Sequence, residues 1–445
     1  MVLVTPRADP TDPDIRELLA ARAHLTMHSL DGLMLESVPL NAIADAVGTP
    51  VWIYGAATMR QRYRALARAL ADAGLEITLH YALKANDHLA VIRVFVAEGA
   101  GADVVSEGEL RRARLAGVPS SQIVFSGVGK SEHELRLALA MEVGQINVES
   151  AEELHILSSV AAGAGRIARV ALRINPDVDA ETHTKISTGR MHDKFGIPWN
   201  DIAGLYRHAA SLPGIKPVGL AMHIGSQIMT LAPFRAAYAR LADVARHVRA
   251  EGHSVEVVDC GGGLGVPYRN EPFVSPAGLA GALHAAFGGL DVRLQLEPGR
   301  WLVAGAGLLV SSVLMVKHVS NGMRFVVLDA AMNDLLRPTL YNAWHGIVPL
   351  SAADAVAPAI QTDVVGPVCE SGDTFARSRL LPPLVRNARV AILDVGAYGS
   401  VMSSTYNARP LAPAVLVDGE RWSLIRSRQQ HEALWQDEHV PESLA

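Results

Sequence analysis

Eight short apolar runs, each ending in small or polar residues, alternate with Ala/Leu/Arg-rich helical runs between residues 50 and 305, and this rhythm constrains the fold more than any other feature. The runs are YALKAN (81–86), ADVVS (102–106), IVFSG (123–127), INVES (146–150), VALRINP (170–176), LAMHIGS (220–226), VVDCGGG (257–263) and LQLEPGR (294–300). They are nearly continuously apolar, as strands buried on both faces must be. SEGELRRARLAG and SEHELRLALAMEVG carry apolar residues at helical spacing, and each opens with Ser then Glu, an N-terminal capping pattern. Eight strand–helix alternations in about 250 residues predict a closed (β/α)8 barrel of the TIM type, with an open doubly wound sheet as the alternative.

The texture differs on either side. After about residue 305, LLVSSVLMVKHV, RFVVLDA, RVAILDVGAYG and AVLVDGERWSLIRS read as β-branched strands separated by turns, a second and mainly β domain. Before residue 50, a Pro- and Asp-rich start through about residue 14 is expected to fray. A short helix (IRELLAARAH), a strand-like Met27–Glu36 and a helix over Leu40–Val47 follow, stopped by Gly48 and Pro50. The expected organisation is 1–48 as a leader with a strand and helix contributing to the β domain, 49–305 as the barrel, and 306–445 as the C-terminal β domain. At 445 residues, two domains are also the default on size.

Bulk properties exclude several classes. A net charge of -5 offers nothing to nucleic acid or an anionic membrane. No apolar run approaches the ~20 residues of a membrane span, and the N-terminus lacks the basic-then-apolar order of a signal peptide. Cys260 and Cys369 are the sole cysteines, too few for a disulfide framework, and a reducing cytoplasm fits best.

The unusual residues cluster at the ends of the eight runs, where a barrel builds its active site. Lys84 is either a Schiff-base lysine or a lysine snorkelling from the barrel mouth. Gly261, Gly262 and Gly263 allow close backbone approach to a phosphate, or simply a tight turn. GGGLGV lacks the third glycine of a dinucleotide fingerprint and is followed by Pro267. Glu297 and Arg300 could be no more than an ion pair, and His223 no more than a hydrogen-bonded structural histidine. No histidine spacing suggests a metal site.

The combination is far more specific than its parts. With GADVVSEGEL, RINP…THTKISTG…KFGI (173–197), HIGSQ, DCGGGLG, EPGR, LLRPTLY (335–341), GPVCESGD (366–373) and GAYGSVMSSTYNARP (396–410) in this order, the chain resembles the alanine-racemase-like class of pyridoxal-phosphate enzymes. Over residues 27–425 it is nearest to the diaminopimelate decarboxylases of that class's ornithine/diaminopimelate/arginine decarboxylase branch.

The resemblance implies that Lys84 holds the cofactor as a Schiff base and that His223 stacks on its ring. It implies that Ser226, Gly261–Gly263, Gly299 and Arg300 contact phosphate and ring, and that Glu297 pairs with the pyridine nitrogen. The racemases of the class carry an Arg at that place, so Glu297 favours a decarboxylase. Cys369, from a partner subunit in the family, would protonate the carbanion left by CO2, and Tyr398 would contact phosphate and substrate. Arg300, Arg337, Tyr341 and Glu370 resemble the residues that hold the far end of the substrate. A site shared across chains implies a homodimer. The implied reaction is decarboxylation of meso-2,6-diaminopimelate to L-lysine. A relative acting on another basic amino acid is the alternative, and Arg337 discriminates because an Arg fork suits a distal carboxylate. A racemase is opposed by Glu297 and Cys369, and a non-catalytic cofactor-binding relative by intact Lys84 and Cys369. Thr405 stands where the family pattern expects Asn.

Overall fold

In the computed structural model, residues 12–180, 182, 188, 189, 192–320 and 322–444 are described. The fraying expected before residue 12 and the quoted THTKIS run, apart from Thr182, lie outside them. The chain divides into two compact units, Met59–Val266 with Pro272–Val303, and Met1–Thr58 with Pro267–Glu271 and Ala304–Ala445.

The first unit is a closed eight-stranded parallel barrel. Its strands are Ile77–Ala82, Gly101–Val104, Ile123–Phe125, Gln145–Val148, Ala168–Asn175, Ile215–Met222, Val257–Asp259 and Arg293–Leu296, and the last pairs with the first through Leu294 and Ile77. They coincide with the eight runs of the sequence, and the open-sheet alternative falls. A two-residue strand, Ile197–Pro198, adds to the fifth. The Ser-Glu signatures act as read. Ser106 accepts from Glu109 N at the start of Glu107–Leu115, and Ser131 forms a full capping box with Glu134 before Glu132–Ala140. Each cap fixes where a strand end turns into a helix, and therefore where the strand-end side chains point.

The second unit is mainly β. Its sheet runs in the order Thr374–Leu381, Ile360–Val365, Arg324–Leu328, Gly307–His318, Val51–Gly55, Ala414–Asp418, Arg421–Arg426, and Arg389–Ile392 pairs with both Gly307–His318 and Ile347–Pro349. The expected single strand over Met27–Glu36 is instead two, Leu25–His28 and Gly32–Leu35, paired antiparallel. Gly32 at φ +75° turns the chain between them. Asp14, placed in the fraying segment by the sequence, caps the helix Ile15–Ala20 through a box with Glu17. Leu18, Leu33, Ile43, Val51, Leu308 and Val415 share one buried core, which ties the chain start to the C-terminal sheet by hydrophobic burial.

The boundary falls at Thr58, not 49, because all five residues of Val51–Gly55 are buried and pair with Gly307–His318 and Ala414–Asp418 inside the β unit. No described helix is long and apolar enough to cross a membrane.

Candidate active site

Every barrel strand delivers one polar side chain to the same end. Lys84 follows the first strand in a 3-10 turn, Asp103 sits in the second, and Ser126 follows the third. Asn147 lies in the fourth, Arg173 in the fifth, His223 just after the sixth, Asp259 ends the seventh, and Glu297 follows the eighth. All but Asp103 line a cavity of about 420 Å³. Polar side chains inside a barrel must satisfy one another, and these do with the exception of Asp103 Oδ1. Lys84 Nζ donates to Asp103 Oδ2 at 2.8 Å. Asn147 Nδ2 donates to Ser126 Oγ (3.1 Å) and Asp259 Oδ2 (3.2 Å), and is oriented by Gln145 Nε2 on its own Oδ1 (2.8 Å). Ser126 Oγ donates to Glu297 Oε1 at 3.4 Å. Arg173 pairs with Glu149 at 2.5 Å.

Three carboxyl groups, Asp103, Asp259 and Glu297, therefore share a low-dielectric space with one ammonium. They cannot all ionise cheaply. Burial first, then the charges of Asp103 and Asp259, push the Glu297 carboxyl well above the usual range against the opposing pull of Lys84. The surroundings of Glu297 thus favour its protonated form. Burial, then the nearby Lys84 and Arg173 charges, hold His223 well below the usual imidazole range. Its Nδ1 accepts the Gly262 N–H at 3.2 Å, so the ring is neutral with its proton on Nε2.

The glycine-rich loop is tight for a reason beyond ligand approach. A Cβ on Gly261 would lie 2.1 Å from Met222 O, and one on Gly262 would lie 2.2 Å from Glu297 O. Gly261 N–H donates to Asp259 Oδ1 at 2.9 Å. The amides of Gly261 and Gly262 are thus both partnered within the unit. Near this loop Arg300, buried, donates Nε (3.2 Å) and Nη2 (3.0 Å) to Ser226 Oγ. Gly299 packs where a Cβ would meet Ala85 Cβ at 3.0 Å.

The other five sequence candidates lie in the β unit. Arg337 opens the helix Arg337–Tyr341, and its Nη1 donates to Tyr268 Oη (3.0 Å) and His345 Nε2 (3.2 Å). Thr339 of that helix donates to Gly372 O at 2.8 Å and so joins it to the loop bearing Cys369 and Glu370, both exposed. Asp373 shapes this loop by accepting the Val368 (2.8 Å) and Met332 (2.7 Å) amides, and Cys369 N–H donates to Asn407 Oδ1 at 3.1 Å. Tyr398 is half-buried at φ +55°.

Sequence reasoning missed Asp103, Asn147, Asp259 and Arg173, although acidic or basic residues inside near-continuous apolar runs were a readable signal. It also missed Tyr268 and His345, which nothing local marks.

Residues 56–304 match the family model described as "Pyridoxal-dependent decarboxylase, pyridoxal binding domain". The chain is 47% identical over 418 residues to a diaminopimelate decarboxylase of Zymomonas mobilis, covering 93% of this chain and 98% of that one. The solved diaminopimelate decarboxylase of Helicobacter pylori complexed with L-lysine is similar at TM-score 0.86 and 38% identity, covering 89% of this chain and 98% of that one. The M. jannaschii diaminopimelate decarboxylase, also in complex with L-lysine, gives TM-score 0.90 at 33% identity, covering 95% and 99%.

A further buried carboxyl, Glu109, feels the Asp103 charge and carries a pH signature. Burial, with the Asp103 charge as a smaller contribution, pushes Glu109 up to about 7, while the Val105 amide pulls the other way. A carboxyl raised on folding stabilises the fold fully below its unfolded value and loses that contribution as pH rises through the folded value. Without added cofactor, stability should therefore fall between about pH 4.5 and 7, and Glu109→Gln should flatten that fall. Thermal melts across pH 4.5–8 check this, and an unchanged slope in the variant would refute it.

Proposed function

The chain belongs to the pyridoxal-dependent decarboxylase family, and from that premise we propose that it decarboxylates meso-2,6-diaminopimelate to L-lysine and CO2. The reading rests on one observation above the rest: Lys84, a lysine at a barrel strand end, held against Asp103 in a cavity that also contains Glu297, its carboxyl pushed up by burial, and His223, its imidazole pushed down by burial.

The residues present fit pyridoxal phosphate. An amine faces a cavity of about 420 Å³, and a buried arginine after the eighth strand bonds a serine after the sixth. When bound, the cofactor supplies an electron-withdrawing ring that accepts the electron pair of the breaking Cα–carboxylate bond. Lys84 would hold it covalently through Nζ, with Asp103 compensating the amine's charge whenever it is released. Glu297 would share its proton with the pyridine nitrogen. His223, neutral and held at Nδ1 by Gly262, would present a ring face without adding positive charge. Arg300 and Ser226 would hold phosphate, with the tight Gly261–Gly263 turn and Gly299 making room for it, and Tyr398 would add a hydroxyl.

The β unit would supply the rest. After the carbon–carbon bond breaks and CO2 leaves, Cα needs a proton, and Cys369 Sγ would deliver it. Glu370 and Tyr341 would hold the distal ammonium end. Arg337, with Arg300, would read the distal carboxylate. We assign Cys369 to the neighbouring subunit of a homodimer, and the cytoplasm as the compartment, since both cysteines are free thiols.

A buried guanidinium deprived of its anion costs on the order of 3–5 kcal/mol. That predicts about a hundred- to several-thousandfold preference over substrates lacking the distal carboxylate. CO2 release should be rapid with meso-diaminopimelate and nearly absent with lysine or ornithine, and Arg337→Ala should raise KM while cofactor absorbance stays normal. A preference for ornithine or lysine would move the substrate assignment. The shared site has its own check. Lys84→Ala and Cys369→Ala proteins, each inactive alone, should recover up to about a quarter of wild-type sites when dissociated together and re-associated, since half the dimers are mixed and each has one intact site. Verified heterodimers without activity would exclude catalysis in trans.

A further inference from the structure

Arg337 does not reach its site as a loose side chain. The helix that it opens ends at Asn342, whose left-handed backbone (φ +52°) closes with its amide on Arg337 O. The chain then turns back and brings His345, eight residues on in RPTLYNAWH, against the guanidinium. His345 is almost fully buried and held from three directions. Its Nδ1 is 2.9 Å from Leu393 O, its carbonyl accepts Arg379 Nη1 at 2.9 Å, and its ring meets Tyr268 edge-on at 5.2 Å.

These contacts fix the histidine's chemistry. A carbonyl oxygen can only accept, so Nδ1 carries the proton; a guanidinium can only donate, so Nε2 is the acceptor. Arg337 Nη1 has two hydrogens. One goes to Tyr268 Oη at 3.0 Å and the other to His345 Nε2 at 3.2 Å. The Tyr268 ring lies 5.0 Å below the guanidinium and sets its plane. Tyr268 is anchored in turn: its carbonyl accepts Arg22 Nη2 at 3.1 Å, and Arg22 is held by Asp394.

An arginine addresses a carboxylate through one of two forks, end-on with both Nη groups or side-on with Nε and Nη2. Both clamping contacts act on Nη1, which rules out the end-on fork and orients the side-on edge. We propose that His345 and Tyr268 are a positioning pair that presents the Nε–Nη2 edge of Arg337 to the distal carboxylate of the substrate, and so set the enzyme's preference for a dicarboxylic amino acid. This rests on the reading of Arg337 given above and adds what makes that arginine selective. A guanidinium free to swing would bind one carboxylate oxygen about as well as two, and would discriminate less.

The test uses the cofactor-loaded enzyme with meso-diaminopimelate and four variants: His345→Leu, His345→Gln, Tyr268→Phe and Arg337→Ala, plus His345→Leu combined with Arg337→Ala. His345→Leu should raise KM about tenfold with kcat changed less than about twofold. His345→Gln should recover most of the loss, because its amide oxygen can accept where Nε2 did. In the Arg337→Ala background, His345→Leu should change KM by less than about twofold, since there is no guanidinium left to orient. An equal KM penalty in both backgrounds, or parallel losses in kcat and thermal stability, would make His345 merely structural and overturn the proposal. A normal KM in His345→Leu beside a raised KM in Arg337→Ala would overturn it while leaving the substrate reading intact. A normal KM in Arg337→Ala would bring down both. Should His345→Leu fail to fold, Tyr268→Phe decides: it removes one hydroxyl, and a KM unchanged from wild type refutes the clamp.

Discussion

One ion pair sets the terms for the barrel unit. Lys84 Nζ and Asp103 Oδ2 meet at 2.8 Å at the strand ends, with the aspartate fully buried and the lysine one-third exposed. A buried charge costs several kcal/mol unless paired and hydrogen-bonded. The pair therefore forces its neighbours into definite states. Burial first, then the charges of Asp103 and Asp259, push the Glu297 carboxyl up, and burial first, then the charges of Lys84 and Arg173, push the His223 imidazole down. Asp259 is tolerated because Asn147 and the Gly261 amide donate to it. A proton donor, a neutral ring and an amine in one cavity thus follow from a single requirement, that buried charge be compensated.

The β unit solves a different problem, holding long polar side chains still. Arg337 is fixed by two neutral acceptors and an aromatic face, and Cys369 by a loop whose shape comes from Asp373 and from Thr339 on the arginine's own helix. Arg22, just past the N-terminal helix, reaches Tyr268 and Asp394, so a segment with no place in the family pattern helps to hold a residue that has one.

How much of this was legible depended on periodicity. The barrel strands could be read because parallel strands covered on both faces leave unbroken apolar runs, and the eight runs match the eight strands. That rule does not place Val51–Gly55, which fell inside the expected barrel range without being one of the eight runs. It is apolar and followed by a helix, as a barrel strand would be, yet it pairs in the β sheet; which sheet a buried strand joins is a long-range choice that local pattern does not record. Ile360–Val365 and Thr374–Leu381 were missed because Thr, Arg and Ser interrupt them. In the site, Lys84, Glu297 and His223 stood out as polar residues at strand ends. Asp103 and Asn147, one or two residues further back, were passed over, although a polar residue within a buried strand is equally expensive. Tyr268 and His345 come together only through the Asn342 turn and the Pro267–Glu271 excursion into the β unit, which no spacing rule anticipates.

On the proposed reading Lys84, set apart by its place beside Asp103, would bind the cofactor covalently. Borohydride reduction of the pyridoxal-phosphate-loaded protein, followed by proteolysis and mass mapping of the modified peptide, tests it most directly. The pyridoxyl mass should fall on Lys84 at one per chain and vanish in Lys84→Ala; stoichiometric label on any other lysine would contradict the entire assignment of the site.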